Sequence, residues 1–458
     1  MMAGVDAERH HQTLAAIVGA ANVVAPAPRE YLSDGTSGRG LEGRADAVVL
    51  PGSAQEAAAV VAHCYAEGIA ITTRGGGTGF AGGAVPQGGI VLGTGRMARV
   101  RAFDPLQWRI HAEAGVPTAE VRRIARGSGL WFPPDPGAAE QSQLGGNVAT
   151  NAGGPHAFKY GTTRAWVTGI EAVIPPGEIV TTGGPMRKNV AGYDLVGLLA
   201  GSEGTLGIVT AAWLRLIPAV EAALPIAALF ADVDAGCAAV EALMGSGVVP
   251  ACIEYVDEPA LAATGRDFPG GAPGRGFHVI AEADGSDAGA VAGREALREA
   301  LADSAATWIA TPDGDDIPAL WRWRDSISPR VTAVRGGKLA EDVAVPVDRL
   351  ADAIRGSAEI GARHGLETMS WGHAGDGNLH TSFLVAPEST DEHARAEAAC
   401  EELFDLALQL GGTITGEHGV GLLKRSHLSD QLGPAAQRLN AEIKRAFDPK
   451  GLLNPGKA

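Results

Sequence analysis

Cysteine is scarce in this sequence, and the cysteines that are present lie far apart. The 458 residues contain four, at positions 64, 237, 252 and 400, and no two of them form a CxxC pair. Iron–sulfur clusters and thiolate zinc sites therefore lack their usual ligand spacing. We interpret the four as reduced thiols in the core and expect a cytoplasmic protein.

Positive charge is also in short supply. The 37 Lys and Arg residues face 53 Asp and Glu residues, so the formal net charge is −16. Binding to nucleic acid or to an anionic membrane surface requires an excess of basic side chains, so we expect neither partner.

Long apolar runs are missing as well. No run approaches the ~20 residues of a transmembrane helix. Residues 14–27 are apolar and end in Ala25-Pro26-Ala27, which resembles a signal cleavage site. The segment before them lacks a positively charged start, because Asp6 and Glu8 oppose Arg9. We therefore expect a helix over about residues 8–20 rather than a signal peptide.

Glycine, in contrast, is abundant, with 64 residues and no G-X-Y period. Such an excess indicates many tight turns and close approaches of the backbone to a ligand.

The length predicts two or three domains. A strand at 47–50, a helix at 55–67 capped by Ser53, and a strand at 69–73 form an α/β opening, and Pro218 marks a later boundary.

The first glycine-rich loop follows the strand at 69–73. Residues 77–82, GTGFAG, fit the GxGxxG pattern, but the following GAVPQGG cannot open the helix that a Rossmann site requires. Arg74 and the successive backbone N–H groups of residues 75–79 favour an anion-binding nest instead. The alternative is a simple glycine-rich turn. Residues 451–457 copy GxxxxGK without the Ser or Thr of a nucleotide P-loop.

Two further segments of this kind follow, at 145–154 and 201–209. The first lies within residues 135–161, which show little periodicity and predict a long functional loop. Three glycine-rich segments within about 130 residues indicate a large cofactor.

Seven motifs together resemble one family of proteins. They are RGGGTGFAGG (74–83), LGGNVATNAGG (144–154), KYGTT (159–163), AGYDLVGLLAGSEGTLGIVT (191–210), GHAGDGNLH (372–380), TGEHGVG (415–421) and FDPKGLLNPGK (447–457). Their order, from about residue 45 to the end, resembles the vanillyl-alcohol-oxidase-type flavoproteins. More narrowly, it resembles the FAD-linked 2-hydroxyacid dehydrogenases, which include glycolate oxidase flavin subunits, D-lactate dehydrogenases and D-2-hydroxyglutarate dehydrogenases.

The resemblance implies an α+β fold. A two-part PCMH-type FAD-binding domain is joined to an α+β cap domain with an antiparallel sheet, and the C-terminal tail returns to the FAD domain. We expect a helical extension at 1–44, the FAD domain at 45–218, the substrate-binding cap at 219–410 and a C-terminal segment at 411–458.

The resemblance also implies which residues hold FAD. They are Arg74, Gly75, Gly76, Gly77, Thr78, Gly79, Gly82, Gly83, Pro134, Gly145, Gly146, Asn147, Ala149, Thr150, Asn151, Gly153, Gly154, Tyr160, Gly161, Thr162, Thr163, Glu203, Gly204, Gly207, Ile208 and Asn454. Some relatives link FAD covalently through a histidine in the first loop. That loop has no histidine here, so we expect non-covalent FAD, and we interpret the nearby His156 as a loop residue.

His373 and His380 lie seven positions apart around a glycine-rich turn, and Glu417-His418 follows in the tail. Two imidazoles and a carboxylate are a normal zinc set, although the spacing is not a standard zinc signature. The alternative is a set of polar turn residues and core histidines. The resemblance implies that His373, His380 and Glu417 bind a divalent metal, with zinc favoured, and that His418 is the substrate-binding base.

A substrate carboxylate would need a cation, and the resemblance places candidates near Arg324 and Lys338. The alternatives are stacking of Arg324 on tryptophan and a solvated turn for Lys338. The implied reaction is oxidation of a small D-2-hydroxyacid such as D-lactate, glycolate or D-2-hydroxyglutarate to its 2-keto acid.

Electrons would leave to a quinone, a cytochrome, an electron-transfer flavoprotein or oxygen. A homodimer and a subunit of a larger complex both remain open. The rival interpretations are a flavin-binding electron-transfer subunit without catalysis, a metal hydrolase, and a flavin oxidase of another alcohol.

Overall fold

A computed structural model describes residues 4–265, 268–269 and 274–457, with side chains from residue 8 onward. Residues 1–3 of the predicted extension and residue 458 of the predicted C-terminal segment lie outside these ranges. The chain divides into two compact units. Of the described residues, unit 1 comprises those within 4–153, 162–219 and 417–457, and unit 2 comprises those within 154–161 and 220–416.

The strands in chain order are β1 Val23–Val24, β2 Ala47–Val49, β3 Ile71–Arg74, β4 Ile90–Gly93, β5 Val100–Asp104, β6 Arg109–Glu113, β7 Leu130–Trp131, β8 Val167–Ile174, β9 Glu178–Gly183, β10 Ile208–Arg215, β11 Ile217–Pro218, β12 Ala222–Phe230, β13 Cys252–Val256, β14 Phe277–Gly285, β15 Trp308–Ala310, β16 Gly337–Ala344, β17 Thr368–His373 and β18 Asn378–Val385.

The helices are α1 Gly4–Val18, α2 Ala54–Glu67, α3 Thr118–Arg126, α4 Leu144–Thr150, α5 Ala157–Tyr160, α6 Leu195–Leu199, α7 Val233–Met244, α8 Glu258–Thr264, α9 Asp287–Ala302, α10 Asp316–Asp325, α11 Ile327–Arg335, α12 Leu350–Arg363, α13 Thr390–Gln409, α14 Leu428–Gln431 and α15 Pro434–Phe447. Among these described helices, none combines the length and the apolar character needed to cross a membrane.

Unit 1 opens with a small sheet in the order β1-β2-β4-β3. Helix α2 connects β2 to β3, and β4 pairs in parallel with both strands. The helix begins at Ser53, whose Oγ accepts a hydrogen bond from the Glu56 backbone N–H at 3.1 Å, which confirms the predicted cap. The Glu56 carboxylate in turn accepts from the N–H of Gly52, the residue before the cap, at 2.8 Å, so Glu56 also helps to fix the start of the helix.

The second sheet of unit 1 has five antiparallel strands in the order β5-β6-β10-β8-β9. The C-terminal tail returns to the first sheet, where Leu453 forms a parallel bridge with Ile71. The Asn454 N–H donates to the Ile71 carbonyl at 2.7 Å. The two-part FAD-type domain and its returning tail are therefore confirmed.

Unit 2 is built on seven antiparallel strands in the order β15-β12-β14-β13-β17-β18-β16. Consecutive residues of β12 enter two different cores, because side chains alternate across a strand. Phe230 belongs to the core that includes residues of α7, α9, α12 and α13, whereas Leu229 belongs to the core that includes residues of α8, α10 and α11. The sheet is thus covered by helices on both faces, and the predicted α+β cap with an antiparallel sheet is confirmed.

The structure corrects the expectation that residues 135–161 form a long loop. Helices α4 and α5 lie in that stretch. Leu144 and Val148, one helical turn apart, are fully buried, and this burial stabilises a helix whose two glycines would otherwise disfavour it. Asn151, with φ 52°, ends α4 in the left-handed region.

The units also differ from the expected domain boundaries in three places. Residues 154–161 belong to unit 2, and so do residues 411–416. The expected extension at 1–44 is part of unit 1, because Val23 pairs with Val49 and Leu14 lies in the same core.

Candidate active site

The glycines of the first loop, residues 74–83, differ in what a side chain at each position would meet. A Cβ at Gly77 would lie 2.1 Å from Arg74 Nη2, and one at Gly76 would lie 2.1 Å from the Gln141 carbonyl oxygen. Gly76 is therefore required by packing against the backbone, whereas Gly77 is required by its φ of 69°, because the Arg74 side chain could move aside. Gly79 differs, because a Cβ there would meet nothing within 4 Å among the described residues. Arg74 itself donates from Nη1 to the Ser33 carbonyl, and burial lowers the pKa of its guanidinium.

The second segment, residues 144–154, repeats this distinction. A Cβ at Gly145 would lie 2.5 Å from the Ala114 Cβ, whereas one at Gly146 would project into open space. Asn147, with Nδ2 buried against the Thr118 hydroxyl, is held by side chains of its own unit. Gly79 and Gly146 are thus the positions where bare backbone faces a space that a ligand could occupy.

The third segment, residues 201–209, is bound to the C-terminal tail. Glu203, with φ 50°, accepts the backbone N–H groups of Val420 and Gly421, each at 2.8 Å. Burial raises the pKa of the Glu203 carboxyl even though these two hydrogen bonds lower it. Asn454 Nδ2 donates to the carbonyl oxygens of Glu203 at 2.6 Å and Gly83 at 3.0 Å, so the first loop, the third segment and the tail are joined.

Three buried polar atoms in this region have no hydrogen-bond partner among the described residues. They are the hydroxyl oxygens of Thr73 and Ser202 and the Oδ1 atom of Asn454. A Cβ at Gly204 would lie 3.7 Å from the Thr73 hydroxyl and 3.8 Å from Asn454 Nδ2. Buried polar atoms without a partner are costly unless a ligand or water satisfies them. Together with the open faces of Gly79 and Gly146, they fit a large polar cofactor such as FAD.

The predicted FAD residues at 160–163 are divided between the units. Tyr160 and Gly161 lie in unit 2, where the Tyr160 hydroxyl donates to Asp284 Oδ2 at 2.5 Å. Thr162 and Thr163 lie in unit 1, where the Thr163 hydroxyl donates to the Ala152 carbonyl at 2.8 Å. The remaining predicted FAD residues lie in unit 1, except Gly154, which begins the unit 2 segment.

His373 and His380 are brought together in unit 2 by the pairing of β17 with β18. Their Nε2 atoms are 3.4 Å apart and their ring planes are almost perpendicular. The Nδ1 atom of His373 is 2.6 Å from Glu254 Oε1. A carboxylate on one ring nitrogen orients the other toward a metal, as is usual for metal-binding histidines.

Glu254, in the middle of β13, was not predicted from the sequence. It is buried between His373 and Arg324, whose Nε donates to Glu254 Oε2 at 2.6 Å. Burial alone would raise the pKa of this carboxyl, but the charge of Arg324 and the interaction with His373 lower it below its usual value. The only sequence signal was an acidic residue within the apolar strand CIEYV.

The Glu254 ion pair gives Arg324 a position that the sequence did not indicate. The expected alternatives were a substrate carboxylate and a stacking tryptophan, yet its guanidinium binds the carboxylate that holds His373. Arg324 thus contributes to the orientation of the histidine pair.

Asp342 is a second residue that sequence reasoning missed. It is fully buried in β16 and accepts the Gly416 N–H at 2.7 Å and the Thr415 hydroxyl at 3.2 Å. Asp342 therefore holds residues 415 and 416, the last two residues of unit 2, in place immediately before Glu417.

Glu417 and His418 lie in unit 1. Glu417 Oε1 lies 3.9 Å from His418 Nε2. The His418 ring lies 5.1 Å from the ring of Phe80, so it is next to the first glycine loop. A Cβ at Gly153 would lie 2.7 Å from Glu417 Oε2, which places this carboxylate beside the second segment.

Lys338, in unit 2, lies at the start of β16. Its Nζ is 4.6 Å from the centre of the Trp371 ring and donates to the Ser328 hydroxyl at 2.8 Å. Although the side chain is only partly buried, desolvation lowers the pKa of the ammonium to about 7. Lys338 is thus a cation whose charge changes near neutral pH, and it packs on Trp371 of β17, the strand that ends at His373.

Comparison with known proteins places the chain in a family. Residues 45–183 match the FAD binding domain family, and residues 221–458 match the C-terminal domain of FAD linked oxidases. The glycolate oxidase subunit GlcD of Bacillus subtilis is 35% identical, over 90% of this chain and 88% of its own length. The D-lactate dehydrogenase of Archaeoglobus fulgidus is 36% identical over 90% of each chain.

Solved structures share the fold at lower identity. p-Cresol methylhydroxylase matches with a TM-score of 0.81 and 19% identity over 98% of this chain and 96% of its own. Alkyldihydroxyacetonephosphate synthase matches with a TM-score of 0.77 and 20% identity over 98% and 86%. The paired family matches and the relatives above 30% identity show that the chain belongs to the FAD-linked oxidases and is an FAD-binding oxidoreductase.

Proposed function

We propose that this protein oxidises a small D-2-hydroxyacid to its 2-keto acid, with non-covalent FAD as the electron acceptor. The observation that carries the proposal is the ordered histidine pair, in which Glu254 holds Nδ1 of His373 and leaves Nε2 beside that of His380. The curated relatives named glycolate oxidase subunit and D-lactate dehydrogenase support the same substrate class.

Each group of the proposed site has a separate task. FAD, held by the three glycine segments and Asn454, supplies the hydride acceptor. A divalent metal, with zinc favoured, would be held by His373, His380 and Glu417 and would make a bound hydroxyl more acidic.

The chain's own residues bind and deprotonate the substrate. His418 takes the hydroxyl proton on its imidazole, the side chain that most often serves as a general base. Lys338, when charged, attracts the substrate carboxylate. Arg324 keeps Glu254 ionised, so that Glu254 continues to accept the His373 Nδ1–H.

A panel of D- and L-2-hydroxyacids tests the proposed activity. Under anaerobic conditions the purified holoenzyme is mixed with each acid, and the visible absorbance of the flavin is followed. We expect bleaching by at least one D-acid and none by its L-enantiomer. Bleaching only by non-acidic alcohols would overturn the proposed substrate class.

A second candidate, a flavin subunit of a larger oxidase, is favoured by one observation. The relative from Bacillus subtilis is named as a subunit of glycolate oxidase. The same panel separates the candidates, because a subunit that needs its partners would bind FAD but would not be bleached by any acid alone.

A further inference from the structure

Unit 2 contains a second cluster of metal-binding side chains. His156, Cys252 and Glu282 each offer one donor atom, and these three atoms all lie within 4.8 Å of one another. Cys252 and Glu282 face each other directly in the antiparallel pair β13–β14. His156 comes from residues 154–161, which pack on the same sheet.

The carboxylate of Glu282 is already oriented. Its Oε1 lies 3.0 Å from His156 Nε2, and its Oε2 accepts the indole N–H of Trp321 at 3.0 Å. A hydrogen bond to the second oxygen of a ligating carboxylate is the usual outer-shell support of a metal site. Both the glutamate and the cysteine are buried, and the His156 side chain is 19% exposed, which leaves one side open to an entering ion and a water ligand.

We propose that His156, Cys252 and Glu282 form a second divalent-cation site that binds a zinc-like ion. One imidazole nitrogen, one thiolate and one carboxylate oxygen are the three donor types that zinc prefers, and water completes a tetrahedron. At zinc bond lengths, the donors of a tetrahedral site lie about 3.3–3.8 Å apart, so small side-chain shifts suffice. The Cys252 thiol releases its proton to water when the ion binds.

The bound ion would connect residues 154–161 to strands β13 and β14. The Lys159–Asp284 ion pair and the Tyr160–Asp284 hydrogen bond already hold the other end of this segment to β14. The proposed role is therefore to fix the segment, and it does not depend on the oxidation proposed above.

Cobalt substitution tests the site in the purified FAD-loaded protein. After chelation, Co²⁺ is titrated and the near-ultraviolet difference spectrum is recorded. A sulfur-to-cobalt charge-transfer band should appear and saturate by two added ions per chain, the number that the two proposed sites can hold. The proposed site of His373, His380 and Glu417 contains no thiol, so a His380→Ala variant should keep this band.

Two variants and one matched control assign the band. Cys252→Ser should abolish it, and His156→Ala should weaken cobalt binding at least about tenfold, the lower end of the loss when even an outer-shell partner is removed. Cys237→Ser changes another buried thiol of unit 2 and should leave the band unchanged.

X-ray absorption on the wild-type zinc form needs no variant and should show a sulfur neighbour at about 2.3 Å. A wild-type protein without the charge-transfer band and without this sulfur shell would overturn the proposal. So would a band that persists in Cys252→Ser. In either case His156 and Glu282 form only a hydrogen bond beside a buried thiol.

Discussion

At the scale of single residues, His418 carries the most specific chemical claim. Its Nε2 lies 3.9 Å from Glu417 Oε1 and its ring lies 5.1 Å from that of Phe80, in the first glycine loop. If it is the proton acceptor, His418→Ala should slow anaerobic flavin reduction by about 10²–10⁴-fold, the usual contribution of a positioned general base. FAD content should not change.

The control for His418 is His393→Ala, which removes a histidine from α13 and should leave the reduction rate unchanged. Stopped-flow absorbance measures both variants. A His418→Ala protein that reduces its flavin at the wild-type rate would show that another group takes the proton.

The role of Glu254 was not predicted from the sequence and comes from the structure. Glu254→Gln removes the charge that faces His373 Nδ1 and Arg324. We expect metal affinity to fall about 10–100-fold, as is typical when an outer-shell partner of a metal-binding histidine is lost. Titration with a competing chelator measures this loss.

Glu359→Gln, the same change at an exposed position of α12, should leave metal affinity unchanged. Equal metal affinity in both variants would remove Glu254 from the site. Thermal unfolding should accompany the titration, because Glu254→Gln leaves the Arg324 charge buried without its carboxylate, and such losses are strongly destabilising.

Lys338 gives the site a pH dependence. Desolvation lowers its pKa to about 7, so the ammonium is charged below that pH and neutral above it. If it binds the substrate carboxylate, the Kd of the 2-keto acid product should rise by up to about tenfold per pH unit above 7. Perturbation of the flavin spectrum measures this Kd.

Lys338→Arg keeps a positive charge throughout this range, so its Kd should be flat where that of the wild type rises. A wild-type Kd that is constant from below pH 7 to well above it would contradict a carboxylate-binding role for Lys338.

At the scale of elements, helix α4 offers a glycine whose substitution tests ligand binding without disturbing the packing of the chain. Gly146→Leu places a side chain in open space, so the protein should fold, yet FAD affinity should fall at least about tenfold, equivalent to about 1.4 kcal/mol. Gly38→Leu also enters open space in unit 1 and should bind FAD normally. Flavin content after dialysis measures both.

Full FAD occupancy in Gly146→Leu would show that α4 does not lie along the cofactor. Gly76 is a poor choice for this test, because a Cβ there collides with the Gln141 carbonyl whether or not a ligand is present.

The elements also show what the sequence could predict. The Ser53 cap, strand β3 and the loop after it follow from local signals, namely a capping serine, an apolar run and consecutive glycines. Helix α4 could not be predicted, because burial of Leu144 and Val148 offsets the low helix propensity of its glycines. Burial of that kind is a tertiary effect without a local signal.

At the scale of the whole molecule, the family was recognisable because seven glycine-rich and polar motifs occur together in the order that the family shows. The histidine pair was predicted on the same basis. Glu254 and Asp342 were not, because their partners lie on other strands or at the end of unit 2, and only the sheet order shows which side chains meet.

The most direct test of the proposed oxidation is a single anaerobic turnover with a D-2-hydroxyacid that bleaches the flavin. The account predicts one 2-keto acid formed per flavin reduced, and slower reduction when the α-hydrogen is replaced by deuterium. Flavin reduction without the keto acid, or with no change of rate on deuteration in a chemistry-limited reaction, would contradict it.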